Sequence, residues 1–455
     1  MNLPFLDREA ELARLRAALS GKGAGFACVY GRRRLGKSAL LRRLLSEMPA
    51  VYYVGDDREA ALQRSSLASE VARHLPGFDQ VDYRDWERLL ARWWQDAPPK
   101  LALILDEFPA MVTASPELPS LLQKQLDHAP RPLVLCGSSQ RMMHGLVLDA
   151  SAPLFGRARE ILRLEPLTLP WLRPALGLRR AADAIEHYAV WGGVPRYWEL
   201  AAEHPSRAVA VAKLVLDPLG VLHREPDRLL QDDIQDTARS ASILALIGAG
   251  CHRLTEIAAR LGVPATTLSR PVARLLDLGL VERTVPFGRT VRDTKRTLYR
   301  LRDPFLAFWY RFVEPNRSRL AVGQLDAVAA EVERDWPVYL GMAWEQMARD
   351  SVAQLEIAGD RWRPALRWWG ASTERTPIEI DVVAESVGDR RKVLVGEAKL
   401  TATAKEVRGI AERLARDAAR CPELLGRRVS VAVWVLRVAR PPADVEVITA
   451  DRLWR

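Results

Sequence analysis

Residues 31–38 constrain this chain more than any other stretch. They read Gly-Arg-Arg-Arg-Leu-Gly-Lys-Ser, which fits G-x-x-x-x-G-K-[ST], and they lie between an apolar run at 26–30 and a helix-forming run at 39–45. Strand, glycine loop and helix in this order form the context in which the pattern cradles a phosphate with backbone N–H groups and a helix N-terminus. A glycine-rich turn before a basic helix is the alternative, which this order disfavours.

The loop predicts a binding site for ATP and Mg²⁺. Lys37 is placed to reach the β- and γ-phosphates, and the Ser38 hydroxyl to ligate Mg²⁺. The predicted nucleotide-binding residues are Gly31, Arg32, Arg33, Arg34, Leu35, Gly36, Lys37 and Ser38.

Two carboxylates follow a second apolar run, at 101–105. Such a continuous run is typical of a strand buried on both faces of a parallel sheet. Asp106, at its tip, is placed to hold Mg²⁺ with Ser38, and Glu107 to orient or deprotonate the attacking water. Two acids in an ordinary turn are the alternative.

Polar residues also follow the next apolar run, at 132–136. Ser138 or Ser139 would lie opposite the γ-phosphate and sense hydrolysis, although a plain polar turn fits the pattern equally well. Arg157 is a candidate for the charge that stabilises the transferring phosphoryl group. A surface arginine in an arginine-rich chain is the alternative.

Six spaced motifs together resemble the archaeal-type ATPase family, an AAA-related group within the STAND class of signalling NTPases. They lie at 5–12, 31–38, 105–108, 137–139, 154–157 and 192–197. The resemblance covers about the first 200 residues. It implies a P-loop NTPase core with a parallel sheet at 1–169, followed by a helical subdomain at 170–235.

Residues 236–302 predict a winged helix-turn-helix domain. Helical patterns at 242–247, 254–262 and 263–278 precede a Gly-Leu-Val turn into a hairpin, which is the winged-helix order. The hairpin segment 283–302 carries seven basic residues, among them Arg292, Lys295 and Arg296, against the single acid Asp293. This local excess favours phosphate contact, and therefore DNA as a partner.

Pro271 conflicts with a long third helix. Inside a helix, proline removes a hydrogen bond and costs about 3 kcal/mol. The third helix therefore either starts near Ser269 or is kinked. Either outcome argues against base readout by its first residues, which are Thr266, Thr267, Ser269 and Arg270. A protein-docking role for the winged helix is the alternative.

The C-terminal part carries a second chemical signal. Alternating strands at 377–384 and 392–399 bring together Asp381, Glu397 and Lys399, the last two on one face. Two carboxylates bind Mg²⁺ or Mn²⁺, and a lysine activates water at a phosphodiester. The pattern resembles the PD-(D/E)xK nuclease fold, in which a helix around Glu345 often supplies another metal-site acid.

This resemblance predicts a restriction-endonuclease-like α/β domain at 341–455, joined by a helical connector at 303–340. A degenerate domain that binds without cutting is the alternative. Asp303 begins a segment, 303–310, that resembles the uncharacterised domain often found behind this ATPase type.

Composition sets broad limits. A chain of 455 residues with 48% hydrophobic and 27% charged residues is expected to form several soluble domains. No signal peptide or membrane span is apparent, and the four scattered cysteines predict neither disulfides nor a zinc site, so a cytoplasmic location is expected. The net charge of +10 is weak evidence for nucleic acid, because arginine-rich composition alone can produce it.

Together these features predict an α/β multidomain ATPase. Its nucleotide state would control a DNA-binding winged helix and a nuclease-like domain in DNA processing or defence. The alternative is a signalling switch whose C-terminal half docks a partner without cleaving DNA. A homo-oligomer is left open.

Overall fold

The computed structural model describes residues 5–20, 25–234, 236–292 and 296–454. Its N-terminal part is built on a five-stranded parallel sheet in the order β2-β3-β4-β1-β5. The strands are β1 (Phe26–Tyr30), β2 (Ala50–Val54), β3 (Ala102–Asp106), β4 (Leu133–Gly137) and β5 (Ala158–Arg163). Because β4 lies between β1 and β3, the carboxyl ends of these three strands meet at one edge.

Helices cover both faces of this sheet, whose central strands are buried throughout. They are α1 (Glu9–Leu19), α2 (Lys37–Leu45), α3 (Ala60–Ala72), α4 (Trp86–Asp96), α5 (Phe108–Ala114), α6 (Leu118–His128) and α7 (Gln140–Met143). Burial on both faces explains the continuous apolar runs from which the sequence predicted the strands.

A group of helices follows the sheet. It comprises α8 (Leu169–Leu176), α9 (Ala181–Trp191), α10 (Pro195–Ala202), α11 (Arg207–Val211) and α12 (Glu225–Asp233). The winged helix comes next, with α13 (Thr237–Gly248), α14 (Leu254–Leu261), α15 (Ser269–Asp277), β6 (Val281–Thr284) and β7 (Leu298–Leu301).

The helix α15 starts late, which resolves the conflict at Pro271. A 3-10 turn covers 265–268, and α15 begins at Ser269. Pro271 then lies in the first helical turn, where backbone N–H groups have no partner inside the helix. Proline is therefore compatible with this helix, and no kink is needed.

The predicted boundary between 340 and 341 was wrong, because it falls inside one continuous helix. The connector contains α16 (Pro304–Phe312), α17 (Arg317–Ala321) and the 27-residue α18 (Leu325–Ser351). The first part of α18 packs within the connector and its last turns pack on the C-terminal sheet. One helix thus belongs to both units.

The C-terminal unit is a mixed five-stranded sheet in the order β10-β11-β12-β13-β14. Strands β10 to β12 are antiparallel, whereas β12, β13 and β14 are parallel. The elements are β8 (Glu356–Ile357), β9 (Asp360–Arg361), β10 (Leu366–Ala371), β11 (Pro377–Glu385), β12 (Lys392–Thr401), α19 (Ala404–Arg420), β13 (Arg428–Arg437) and β14 (Glu446–Thr449). On β12, Leu394 faces α18 and Val395 faces α19.

The wing of the winged helix follows β6, and its residues Phe287 and Arg289 contact the C-terminal unit. Phe287 is buried against Trp368 and Ile380, and its backbone N–H donates to the Arg367 carbonyl at 2.9 Å. Arg289 forms an ion pair with Glu423 at 2.7 Å. The wing is therefore a contact between modules in this conformation.

Among the described residues, none of the helices combines the length and apolar character needed to cross a membrane.

Candidate functional site

The loop at 31–38 has the backbone that a phosphate cradle requires. Gly36 has φ +91° and caps the start of α2, while a side chain on Gly31 would come within 2.7 Å of the Leu164 carbonyl. Glycine suits the left-handed backbone at position 36 and the close backbone approach at position 31, because it has no side chain. The spacing of the two glycines is thus explained by local geometry.

Lys37 is held against its own loop. It is 4% exposed, and its Nζ donates to the Gly31 carbonyl at 2.8 Å and to the Arg32 carbonyl at 3.2 Å. Burial lowers the pKa of Lys37, although Glu107 and Asp106 act in the opposite direction. The Lys37 ammonium therefore lies inside the loop that was predicted to bind phosphate.

Ser38 and Asp106, the two residues predicted to hold Mg²⁺ at the P-loop, are in direct contact. The Ser38 hydroxyl donates to Asp106 Oδ2 at 3.0 Å, and the Tyr52 hydroxyl donates to the same oxygen at 2.6 Å. These hard oxygens fit Mg²⁺, which takes few protein ligands and completes its shell with water and phosphate oxygens. Tyr52 was missed by the sequence analysis; its place on β2, next to β3, was the available signal.

Glu107 stands at the turn after β3 with φ +50°, an uncommon conformation for a residue with a side chain. Its carboxylate accepts a hydrogen bond from the Ser138 hydroxyl at 2.8 Å. The residue proposed to act on water and the residue proposed to sense hydrolysis are therefore in direct contact. Ser139 instead caps α7 and donates to Asp233 at 3.0 Å.

Lys37, Ser38, Glu107, Ser138 and Ser139 line a cleft of about 1080 Å³. The P-loop, Asp57, Glu107 and Ser138 form its polar part, and Phe5, Leu167 and Leu200 contribute apolar surface. A cleft of this size, apolar at one part and phosphate-binding at another, is suited to a nucleotide.

The three loop arginines contact other parts of the chain. Arg32 pairs with Asp303 and donates to the Tyr197 hydroxyl at 2.8 Å. Arg33 and Arg34 line the cleft, whereas Arg32 is absent from its lining. Burial would lower the pKa of the Arg32 guanidinium, but Asp303 and Tyr197 raise it above its ordinary value. Because the Arg32 side chain lies outside the cleft lining, its position does not support a contact between this side chain and a nucleotide.

Arg157 lies outside the cleft lining. Its guanidinium forms two hydrogen bonds with the Asp127 carboxylate, at 2.7 and 2.9 Å. The structure therefore does not bring Arg157 to the phosphate site of its own chain. Its role in hydrolysis stays a prediction.

The C-terminal residues are only partly brought together. Asp381 Oδ2 accepts from the backbone N–H of Ala398 at 3.2 Å, so it lies beside the Glu397-Ala398-Lys399 segment. Lys399 Nζ pairs with Glu397 at 2.7 Å, and Arg413 of α19 pairs with the same carboxylate. The side chain of Lys399 is 46% exposed.

Glu345, the further candidate ligand, does not complete a group of three carboxylates with Asp381 and Glu397. Among the described residues no group of three or more His, Cys, Asp or Glu side chains is spaced to hold a metal ion. Glu345 comes from α18 on one face of the sheet, whereas Glu397 turns to Arg413 on the other. Burial, with Asp381 adding to it, raises the pKa of Glu345 to about 6.

The remaining two carboxylates differ in environment. Burial raises the pKa of Asp381, and Glu397 adds to this. Burial also acts to raise the pKa of Glu397, but hydrogen bonds from Arg413 and Lys399 bring it below its ordinary value. The two carboxylates therefore have pKa values shifted in opposite directions.

The recognition surface of the winged helix is accessible. Thr266 and Thr267 are exposed in the 3-10 turn, and Ser269 and Arg270 are exposed at the start of α15. Within the wing, Arg292 is also exposed, and Arg289 is paired with Glu423. Lys295 and Asp293 lie outside the described residues. The first helical turn is thus better placed than the wing to meet DNA.

The fold and cleft define a P-loop ATPase, and comparison with known proteins agrees. Residues 5–199 match a family model described as an ATPase domain predominantly from Archaea. Residues 233–289 match the MarR family, and residues 309–410 match a family described as Archaea bacterial proteins of unknown function. The chain therefore carries an archaeal-type ATPase domain, a MarR-like winged-helix segment and this C-terminal domain. The predicted ATPase resemblance is confirmed.

Two relatives show how far the likeness extends. The chain is 27% identical over 406 residues to an uncharacterized protein of Methanocaldococcus jannaschii, covering 86% of each. A Walker-type ATPase of Pyrococcus abyssi superposes with a TM-score of 0.52 at 19% identity, covering 68% of this chain and 96% of that one. The second likeness shows a shared fold.

Proposed function

We propose that this chain binds and hydrolyses ATP at the P-loop cleft and uses the nucleotide state to control DNA binding by its winged helix. The observation that carries the first part is the meeting of Lys37, Ser38 and Glu107 in one cleft, with Asp106 hydrogen-bonded to Ser38. A bound ATP·Mg²⁺ supplies the phosphoanhydride and the charge that polarises it.

Different residues of the chain would have different roles in ATP hydrolysis. Lys37 would bind phosphate oxygens, and Ser38 with Asp106 would hold the ion in place. Glu107 would orient the attacking water, and Ser138 would fix the Glu107 carboxylate through the 2.8 Å hydrogen bond.

Coupling to the winged helix is supported by a direct contact. Arg274 of α15 donates to the Asp233 carbonyl at 3.2 Å, and the Asp233 carboxylate accepts from Ser139 next to the cleft. The test is fluorescence anisotropy of a labelled DNA duplex at several salt concentrations, with and without a non-hydrolysable ATP analogue. Equal DNA affinity in both conditions would contradict nucleotide control.

A second candidate activity is metal-dependent phosphodiester cleavage by the C-terminal unit. The favouring observation is the 3.2 Å hydrogen bond that sets Asp381 beside Glu397 and Lys399. Asp381 and Glu397 would bind Mg²⁺ with water completing its shell, and Lys399 would orient the attacking water.

We expect Asp381→Asn to abolish any Mg²⁺-dependent cleavage of labelled DNA while ATP hydrolysis stays intact, because the two sites lie in separate domains. Asp389→Asn is the matched control, since Asp389 pairs with Arg428 on the same unit, away from this segment. Without cleavage by the wild type, the unit is a binding module, and the switch alternative is favoured.

A further inference from the structure

Three consecutive loop arginines, Arg32, Arg33 and Arg34, each pair with a carboxylate outside the ATPase core. Arg32 pairs with Asp303 at the start of α16, and Arg34 pairs with Glu225 at the start of α12, at 2.9 Å. Arg33 pairs with Asp232 in the last turn of α12, at 3.2 Å. The P-loop therefore holds α12 near both of its ends.

The three pairs differ in how easily they exchange partners. Glu225 is fully buried, and the side chains of Arg32 and Asp303 are 10% and 7% exposed. Breaking a buried pair leaves an uncompensated charge, so these two pairs are fixed anchors. The side chains of Arg33 and Asp232 are 36% and 31% exposed, and such pairs contribute little stability.

Arg33 and Asp232 both line the nucleotide cleft. Phosphate oxygens form strong charge-assisted hydrogen bonds with guanidinium groups and would compete with the Asp232 carboxylate. The next residue, Asp233, joins this point to two other elements. Its carboxylate accepts from Ser139 and from the backbone of Arg141, and its carbonyl accepts from Arg274 of α15.

We infer that Arg33 exchanges Asp232 for the phosphates of a bound nucleoside triphosphate, and that this exchange shifts the end of α12 against the recognition helix α15. The inference rests on the proposed nucleotide site and adds the contact through which the chain responds to a bound nucleotide. Reciprocity follows: a ligand that displaces α15 must alter nucleotide affinity by the same factor.

The first test measures the affinity of the full chain for a fluorescent non-hydrolysable ATP analogue. Asp232→Asn removes the carboxylate that competes with the phosphates for Arg33, so nucleotide affinity should rise. We expect a rise of about two- to five-fold, the size expected for a partly exposed ion pair. Asp227→Asn is the matched control, because Asp227 lies on the same helix, is equally exposed and pairs with Arg317, away from the P-loop. It should leave affinity unchanged.

A double-mutant cycle separates exchange from simple charge repulsion. If Arg33 is the residue that exchanges, Asp232→Asn should have no effect in an Arg33→Gln background. The same gain in both backgrounds would overturn the inference, as would unchanged affinity in Asp232→Asn. Failure of the wild type to bind the analogue would instead overturn the proposed nucleotide site.

Hydrogen exchange tests the second half of the inference. In the wild type, the analogue should change the exchange of backbone amides in α12 and α15, and in Asp232→Asn this change should shrink. Identical exchange in α15 with and without the analogue, in a chain that binds it, would overturn the link to the recognition helix.

Discussion

Lys37 and Glu107 both line the cleft, but their contacts differ. Lys37 donates to carbonyls of its own loop, whereas Glu107 is fixed by Ser138 at the tip of the neighbouring strand. One residue is therefore placed for phosphate binding and the other for the attacking water.

We expect Lys37→Ala to abolish ATP binding and Glu107→Gln to retain it. Glu107→Gln should lower the hydrolysis rate by roughly 10²-fold or more, because it removes a general base without removing a phosphate ligand. Nucleotide titration and steady-state phosphate release measure the two effects. Glu160→Gln, whose carboxylate pairs with Arg14 on the surface, is the control. Wild-type affinity in Lys37→Ala would refute the P-loop assignment.

Ser138 provides a further check on the same carboxylate. Ser138→Ala removes the 2.8 Å hydrogen bond to Glu107 but no phosphate ligand of the P-loop. The turnover number should fall several-fold while nucleotide affinity stays constant, and Ser138→Thr should restore most of the rate. A change in affinity without a change in turnover would contradict the positioning role.

The helix α15 and the wing belong to one domain but have different environments. The first turn of α15 is exposed, whereas the wing is docked through Phe287 and Arg289. Docking thus occupies Arg289, one of the basic residues in the segment 283–302, with a carboxylate of another unit.

Arg270→Ala should therefore weaken DNA binding and reduce the salt slope by about one for a lost phosphate contact. Arg289→Ala should change the slope far less, because its guanidinium is already paired with Glu423. Anisotropy titrations over a salt series decide between them. The reverse ranking would mean that the wing leaves the C-terminal unit to bind DNA.

Across the whole molecule, two sets of side-chain and backbone contacts and one shared helix connect the parts of the chain. The P-loop arginines reach α12 and α16, and the wing reaches the C-terminal sheet. The long helix α18 spans the connector and the C-terminal unit. These links make the chain a set of coupled modules.

Phe287→Ala should release the wing. Truncating a buried phenylalanine typically costs about 3 kcal/mol or more, and here the cost falls on the contact between modules. Limited proteolysis should then cut within the wing faster than in the wild type. Leu219→Ala, at a side chain 94% exposed, should leave the cleavage rate unchanged. Equal cleavage rates in Phe287→Ala and the wild type would contradict docking.

The strand, loop and helix that form the candidate nucleotide site could be predicted from the sequence alone. Residues 31–38, 106 and 107 each follow an apolar run. The spacing of apolar residues and of glycines is a local property, so a short stretch of sequence is enough to reveal it. The late start of α15 was likewise one of two outcomes that Pro271 allowed.

The contacts of those residues could not be predicted in this way, because they depend on how distant elements pack. The partners of Arg32, Arg33 and Arg34 lie about 200 or more positions away along the chain. The docking of the wing and the separation of Glu345 from Glu397 likewise depend on which face of a sheet a distant helix covers. Long-range pairing of charges is set by the packing of whole elements, and no local pattern in the sequence carries that information.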